Sequence, residues 1–225
     1  MSRPYSAEFF AERHAKTLYS AETILGLVRS WLPPVRSAVD VGCGVGTWLS
    51  VLQQFGVERI LGVDGDWVAP EALVIPPSCF QERDLQTPLN LSEQFDLAIC
   101  VEVAEHLPVA RADTLIRDLT SLADFVLFSA AIPGQGGVNH VNEQWPEYWN
   151  DRFRSDGYRV LDLIRQRIWN DPAIPFWYRQ NMLLFVRETR RHEIQLEVAS
   201  APTWPLAIVH PHLYLRTLRS QRPRS

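Results

Sequence analysis

The chain has 225 residues, enough to bury one large core, and its 46% hydrophobic and 21% charged residues are the balance of a globular domain rather than a disordered or fibrous chain. A net charge of −4 provides no global field for nucleic acid, and no window approaches 18 uninterrupted apolar residues, so neither a nucleic-acid partner nor a membrane span is expected. The three cysteines Cys43, Cys79 and Cys100 are odd in number and lack paired spacing, and the first dozen residues have no apolar leader segment, which predicts reduced thiols and a cytoplasmic location.

In chain order, residues 6–30 place Phe9, Phe10, Leu18, Ile24, Leu25, Leu27 and Val28 at helical spacing before a Trp31-Leu32-Pro33-Pro34 stop. A first strand is predicted near 36–41, a helix near 46–55 and a second strand over 58–63, which together make a parallel crossover unit. A weak third strand falls at 79–81, a strong fourth at 95–101, a helix at 110–122 and a fifth strand, apolar on both faces, at 124–130. Residues 132–141 are rich in glycine and polar side chains, 143–153 read as a short aromatic helix, and strands six and seven fall at 158–164 and 182–186. Pro172 and Pro175 interrupt 165–181, where no helical period is visible, so the last two strands are expected to pair antiparallel. Residues 188–225, with Pro202, Pro205, Pro211 and an arginine-rich end, read as a partly ordered appendage.

The chemistry concentrates where the first strand breaks into Asp40-Val41-Gly42-Cys43-Gly44-Val45-Gly46-Thr47. Glycines there allow a tight reversal and close approach of backbone to a ligand. A dinucleotide fingerprint would need its third glycine at position 47, which is Thr47, and Asp40 beside the turn would repel a pyrophosphate while suiting a cation. The D-x-G-x-G-x-G pattern resembles motif I of the class I S-adenosylmethionine-dependent methyltransferases, and the resemblance extends over about residues 5–187.

That resemblance implies a Rossmann-like α/β fold: a seven-stranded, mostly parallel sheet of order 3-2-1-4-5-7-6 with an antiparallel last strand and helices on both faces. It divides the chain into a helical lead-in (1–34), a methyltransferase domain (35–187) and a C-terminal extension (188–225). Ligands are then expected at the carboxyl ends of the strands. S-adenosylmethionine would lie against Asp40, Gly42, Cys43, Gly44 and Gly46. Asp64, closing the second strand, can accept from ribose hydroxyls; Gly65 follows it, and Trp67 can cover a face of the adenine. Asp84 and Leu85 resemble the family's adenine-reading segment, and Val101-Glu102-Val103-Ala104-Glu105-His106-Leu107-Pro108 resembles its motif IV, with Val101 and Glu102 on the cofactor side.

For the acceptor, the 132–149 segment and the later Trp169 and Phe176–Asn181 resemble a methyltransferase subgroup often associated with glycan or natural-product biosynthesis. His140 is the candidate general base for a hydroxyl, with Glu143 orienting it if the loop turns helical. Gln135, Asn142, Gln180 and Asn181 could hydrogen-bond a polyol, and Trp145, Tyr148, Trp169, Trp177 and Tyr178 could present faces to a sugar or a flat ring. A small-molecule hydroxyl acceptor is the leading expectation, with an amine acceptor or a noncatalytic cofactor-binding module as alternatives. Neither Glu102/Glu105/His106 nor His210/His212 has paired metal-ligand spacing, so no metal is expected.

Overall fold

The computed structural model describes residues 7–194 and 207–220. Seven strands share one sheet in the order β3-β2-β1-β4-β5-β7-β6. They are β1 (Ser37–Val41), β2 (Arg59–Asp64), β3 (Phe80–Glu82), β4 (Leu97–Val101), β5 (Phe125–Ser129), β6 (Tyr158–Leu161) and β7 (Leu183–Arg187). The first five run parallel, whereas β7 pairs antiparallel with both β5 and β6. Strand order and antiparallel end are those implied by the glycine motif.

The helices are α1 (Ala7–Trp31), α2 (Thr47–Gln54), α3 (Ala112–Leu122), α4 (Pro146–Ser155), α5 (Ile164–Ile168), α6 (Phe176–Asn181) and α7 (Pro211–Ser220). Strand side chains alternate between faces with period two, so the sheet divides the core in two. Leu97, Ile99 and Leu127 pack with Ile24, Leu25 and Val28 of α1 and with Leu49 and Leu52 of α2. Ala98, Cys100, Val126 and Phe128 pack instead with Leu115, Ile116 and Leu119 of α3 and with Trp149 and Phe153 of α4. β1 is buried along its whole length because it lies between β2 and β4, and this carries its C-terminal end to the switch in strand order, where open α/β sheets bind their ligands.

Three expectations need correction. The segment read as lacking helix contains α5 and α6, each a turn or so long, too short for an apolar period to show. The sixth strand ends at Leu161 rather than at 164, because the buried Arg165 guanidinium donates from Nε to Asp162 Oδ1 (2.6 Å) and from Nη1 to the Gln180 carbonyl (3.0 Å), turning the chain there. Part of the C-terminal extension packs on the domain: α7 buries Leu213, and His210 just before it is also buried. Residues 195–206, which carry Pro202 and Pro205, lie outside the described residues. Among the described residues no helix is long and apolar enough to cross a membrane.

Candidate active site

The turn after β1 is built from three left-handed glycines, Gly42 (φ 84°), Gly44 (φ 54°) and Gly46 (φ 88°). A Cβ on Gly42 would stand 2.3 Å from Val103 Cγ2 and one on Gly46 2.8 Å from Ile75 Cγ1, whereas one on Gly44 would meet nothing within 4 Å. Gly42 and Gly46 are therefore demanded by packing, whereas Gly44 borders open space. The Gly42 and Cys43 amides both donate to the Val63 carbonyl (2.7 and 3.2 Å), which ties the turn to β2.

Asp64 ends β2 and accepts from Gly44 N at Oδ2 (2.6 Å) and from Gly65 N at Oδ1 (2.7 Å). Burial pushes its carboxyl up to about 6, although both amides favour the anion. Asp40 is buried to 1% exposure and its Oδ2 has no hydrogen-bond partner; burial first, and the Asp64 charge second, hold its pKa well above the usual carboxylate range. An orphaned buried carboxylate, an open glycine and a strand-end acid fit a cofactor that carries positive charge and ribose hydroxyls. The Trp67 ring lies over Gly65, where a Cβ would come within 2.0 Å of Cζ3, and remains 38% exposed. Gly62, unremarked in the sequence, is needed because a Cβ there would stand 2.8 Å from Cys43 Sγ.

Asp84 is exposed and caps its own turn, Oδ1 accepting from Gln86 N (2.9 Å). Leu85 is buried, and its carbonyl accepts from Arg111 Nε (3.0 Å). Arg111 is itself buried, ion-paired to Asp118 and bonded to Thr114 Oγ1 (2.7 Å), so it clamps the Asp84–Leu85 segment to the start of α3. Sequence reasoning missed it, since an arginine in an amphipathic helix start gives no sign of being buried.

Beyond the end of β4, Glu102 adopts φ 55°, uncommon for a residue with a side chain. Its amide donates to the Ser129 carbonyl (3.0 Å), its Oε1 accepts from Asn181 Nδ2 (3.1 Å) and its Oε2 from Gln135 Nε2 (3.0 Å). Gln135 Oε1 in turn accepts from Asn181 (2.9 Å) and Gln180 (3.2 Å), and Gln180 Oε1 accepts from the His210 amide (2.8 Å). Arg216 of α7 donates to the Gln135 carbonyl and lies 5.0 Å from the Phe176 ring centroid.

His140 and Glu143 are brought together, but by a turn rather than a helix: Asn139 takes φ 60° and His140 Nδ1 lies 2.8 Å from Glu143 Oε1. Glu143 also accepts from Gly136 N (2.6 Å) and Gly134 N (2.8 Å), so three donors fix its carboxylate. The loop is fastened by the Val141 and Asn142 amides donating to the Glu105 carbonyl (2.9 and 3.0 Å) and by Gln144 N donating to the Ala131 carbonyl (3.1 Å). With the Nδ1 proton directed at Glu143, Nε2 is the imidazole's acceptor nitrogen; this tautomer is assigned from the hydrogen-bond network.

The residues expected at the acceptor do not form one wall. Gln135, Gln180 and Asn181 are buried and occupied with Glu102 and one another, rather than standing open to a polyol. Tyr178 points its ring edge-on at Trp48 (5.7 Å) in the core, and Trp177 packs on Tyr178 and Phe176. Trp169 faces His210 at 4.7 Å, toward the C-terminal extension. Asn142 is buried with Nδ2 unpartnered, Tyr148 lies under the Arg152 guanidinium at 3.5 Å with its hydroxyl unpartnered, and Trp145 is 42% exposed. The aromatics scatter because each belongs to a different short element, which their sequence proximity does not reveal.

The strand order, the glycine turn and the acid closing β2 define a class I, Rossmann-like methyltransferase fold. A family profile described as a methyltransferase domain matches residues 11–163, so the chain belongs to that family and is an S-adenosylmethionine-dependent methyltransferase. None of the curated proteins matches it significantly. Among solved structures it is similar to magnesium protoporphyrin IX methyltransferase from Synechocystis PCC 6803 with bound SAM, at 20% identity and TM-score 0.53 over 77% of this chain and 80% of that one. It is also similar to the methyltransferase domain of bacterial CtHen1, at 21% identity and TM-score 0.52 over 76% and 97% of the two chains. An O-methyltransferase family protein from Burkholderia thailandensis gives TM-score 0.56 at 12% identity, over 80% of this chain and 57% of that one.

Proposed function

We propose that the protein methylates a hydroxyl group of a small molecule, such as a sugar or a glycosylated natural product, with His140 taking the hydroxyl proton. The observation that carries this reading is the His140–Glu143 pair: a carboxylate fixed by two backbone amides holds Nδ1 and leaves Nε2 as the basic nitrogen. S-adenosylmethionine, when bound, supplies an electrophilic methyl group. Asp40, with its unpartnered oxygen, would answer the positive charge; Asp64 would accept from the ribose hydroxyls. Gly42, Cys43, Gly44, Gly46 and Gly65 would let the backbone approach, Trp67, Asp84 and Leu85 would bound the adenine, and Val101 and Glu102 would border the methyl-bearing end. Because in-line displacement needs alignment above all, the fixed loop from 134 to 144 would contribute by holding the acceptor oxygen in register.

His140→Ala is expected to lower turnover by about 10²–10⁴-fold on a panel of hydroxylated acceptors, while affinity for S-adenosylhomocysteine stays within twofold. Turnover like that of the unmodified enzyme would remove His140 from the chemistry. Retained turnover with a pH optimum that follows an amine acceptor would point to nitrogen methylation instead.

A further inference from the structure

Glu105, His106 and His140 each offer one ligand atom, and these atoms all lie within 4.8 Å of one another. Glu105 and His106 leave β4 in a 3₁₀ turn (Ala104–His106), and His140 arrives from the loop after β5. Local spacing could not reveal the set, because the third member is delivered by the fold. The Val141 and Asn142 amides donate to the Glu105 carbonyl, so backbone bonds bring the histidine loop to the glutamate. The two imidazoles meet edge to face with centroids 4.8 Å apart.

Two observations separate this cluster from an ordinary polar surface. Glu105 is 0% exposed and neither carboxylate oxygen has a hydrogen-bond partner, although its own amide, the Ala131 amide and the Glu102 carboxyl all lie beside it. The strongest side-chain charge acting on it is that of Glu102, of the same sign. A buried carboxyl so placed calls for a cation or a proton. Secondly, Glu143 holds His140 through Nδ1 and is itself fixed by two amides, which is the outer-shell arrangement that orients a metal-binding imidazole and raises its basicity.

We propose that Glu105, His106 and His140 bind a divalent transition-metal ion, leaving coordination positions open toward the acceptor. Two imidazole nitrogens and one carboxylate oxygen suit Zn²⁺, Mn²⁺ or Co²⁺ better than Mg²⁺ or Ca²⁺, which prefer all-oxygen sites. Ligand atoms around an ion at about 2.1 Å stand roughly 3.0–3.4 Å apart, so the widest pair closes by about 1.5 Å, within reach of side-chain rotation. His106 is exposed and His140 half-buried, so the ion has a path in.

The consequence for chemistry rests on the hydroxyl-acceptor reading above; ion binding itself does not. An acceptor oxygen on the ion loses its proton to water at a lowered pKa. That oxygen then forms its bond to the methyl carbon as the carbon–sulfur bond breaks, and the bonding pair leaves with sulfur. Nε2 of His140, occupied by the ion, is a ligand in this scheme and no longer the proton acceptor.

The test uses the full chain, stripped with EDTA and titrated with Co²⁺ while visible absorption is read, then with Zn²⁺ and Mn²⁺ by calorimetry. One ion per chain is expected, with affinity reduced more than tenfold in each of Glu105→Gln, His106→Asn and His140→Asn, and about tenfold in Glu143→Gln. His106→Asn, at an exposed position, keeps the test decisive if the buried Glu105→Gln fails to fold. No binding up to millimolar ion, or binding indifferent to all three ligand substitutions, overturns the site. Full turnover by the stripped enzyme with His140 still essential overturns the role of the ion and leaves proton acceptance standing. Bound ion without turnover on any hydroxylated acceptor refutes the hydroxyl reading and leaves the site intact.

Discussion

Asp64→Asn separates what the glycine turn needs for folding from what it needs for the cofactor. Burial raises the Asp64 carboxyl from 3.8 to about 6, a penalty of about 3 kcal/mol on the charged form. Because the folded value lies above the unfolded one, the penalty is absent below pH 3.8, where both states are protonated, grows as pH rises toward 6, and is constant above that. This group therefore makes the cofactor-free protein less stable on going from pH 4 to pH 6, and Asn removes that slope. Asn has one acceptor oxygen for two amides, so Gly44 N or Gly65 N loses its partner at about 1–3 kcal/mol. The two effects offset, and the variant should melt near the parent temperature at pH 7. Ligand affinity has no such compensation: losing charge-assisted bonds from ribose hydroxyls, about 1.5–3 kcal/mol each, weakens S-adenosylhomocysteine binding by about 10–150-fold. Hydroxyl donors favour the anion, so affinity of the parent should rise as pH increases through 6 with proton release. Calorimetry from pH 5 to 8 in buffers of different ionisation heat, beside thermal melts, measures both. Affinity within threefold of the parent at pH 7.5 would refute the assignment of Asp64.

The glycines of the turn should divide by function: Gly42→Ala, facing Val103 at 2.3 Å and held at φ 84°, is expected to destabilise the fold by about 2–4 kcal/mol in urea unfolding. Gly44→Ala, with open space around it, should cost about 1 kcal/mol of stability and weaken S-adenosylhomocysteine by at least tenfold; equal effects in the two variants would deny the distinction. Leu213→Asp removes the buried apolar anchor of α7, worth about 1.5–3 kcal/mol, and should expose the C-terminal extension to limited proteolysis while cofactor-product affinity stays within twofold; an extension that remains protected would show that α7 is held by other contacts.

The glycine turn and the acid that closes β2 were legible in the sequence because their determinants are local. A β-branched strand, a turn needing positive φ and an acid at the end of the next strand lie within 25 positions of one another, from Asp40 to Asp64, and parallel pairing fixes their register. The rest of the candidate site depends on side chains whose partners lie far along the chain. Glu102 is held by Asn181, Arg111 reaches back to Leu85, and His210 meets Gln180. No periodicity encodes such pairs. His140 and Glu143 were found as residue types at a useful spacing, but the turn at Asn139 that joins them was not. Aromatic content signals packing as readily as a binding face: Tyr178 meets Trp48 in the core, and Trp177 packs against it.

The same contrast has a mechanical side. Positions around the glycine turn are set by backbone: Gly42 and Cys43 hang on the Val63 carbonyl, and Asp64 is locked by two amides, at the end of the fully buried β1 and beside it. The position of Glu102 is set by neutral amide side chains, Gln135, Gln180 and Asn181, each bond contributing about 1 kcal/mol net. The C-terminal extension joins this network through the His210 amide and through Arg216 at the Gln135 carbonyl. The extension is therefore bonded to the side chains that orient Glu102, while the glycine turn shares none of these bonds. The glycine turn and the Glu102 network are thus held by different kinds of bond, main-chain amides in the one and side-chain amides in the other.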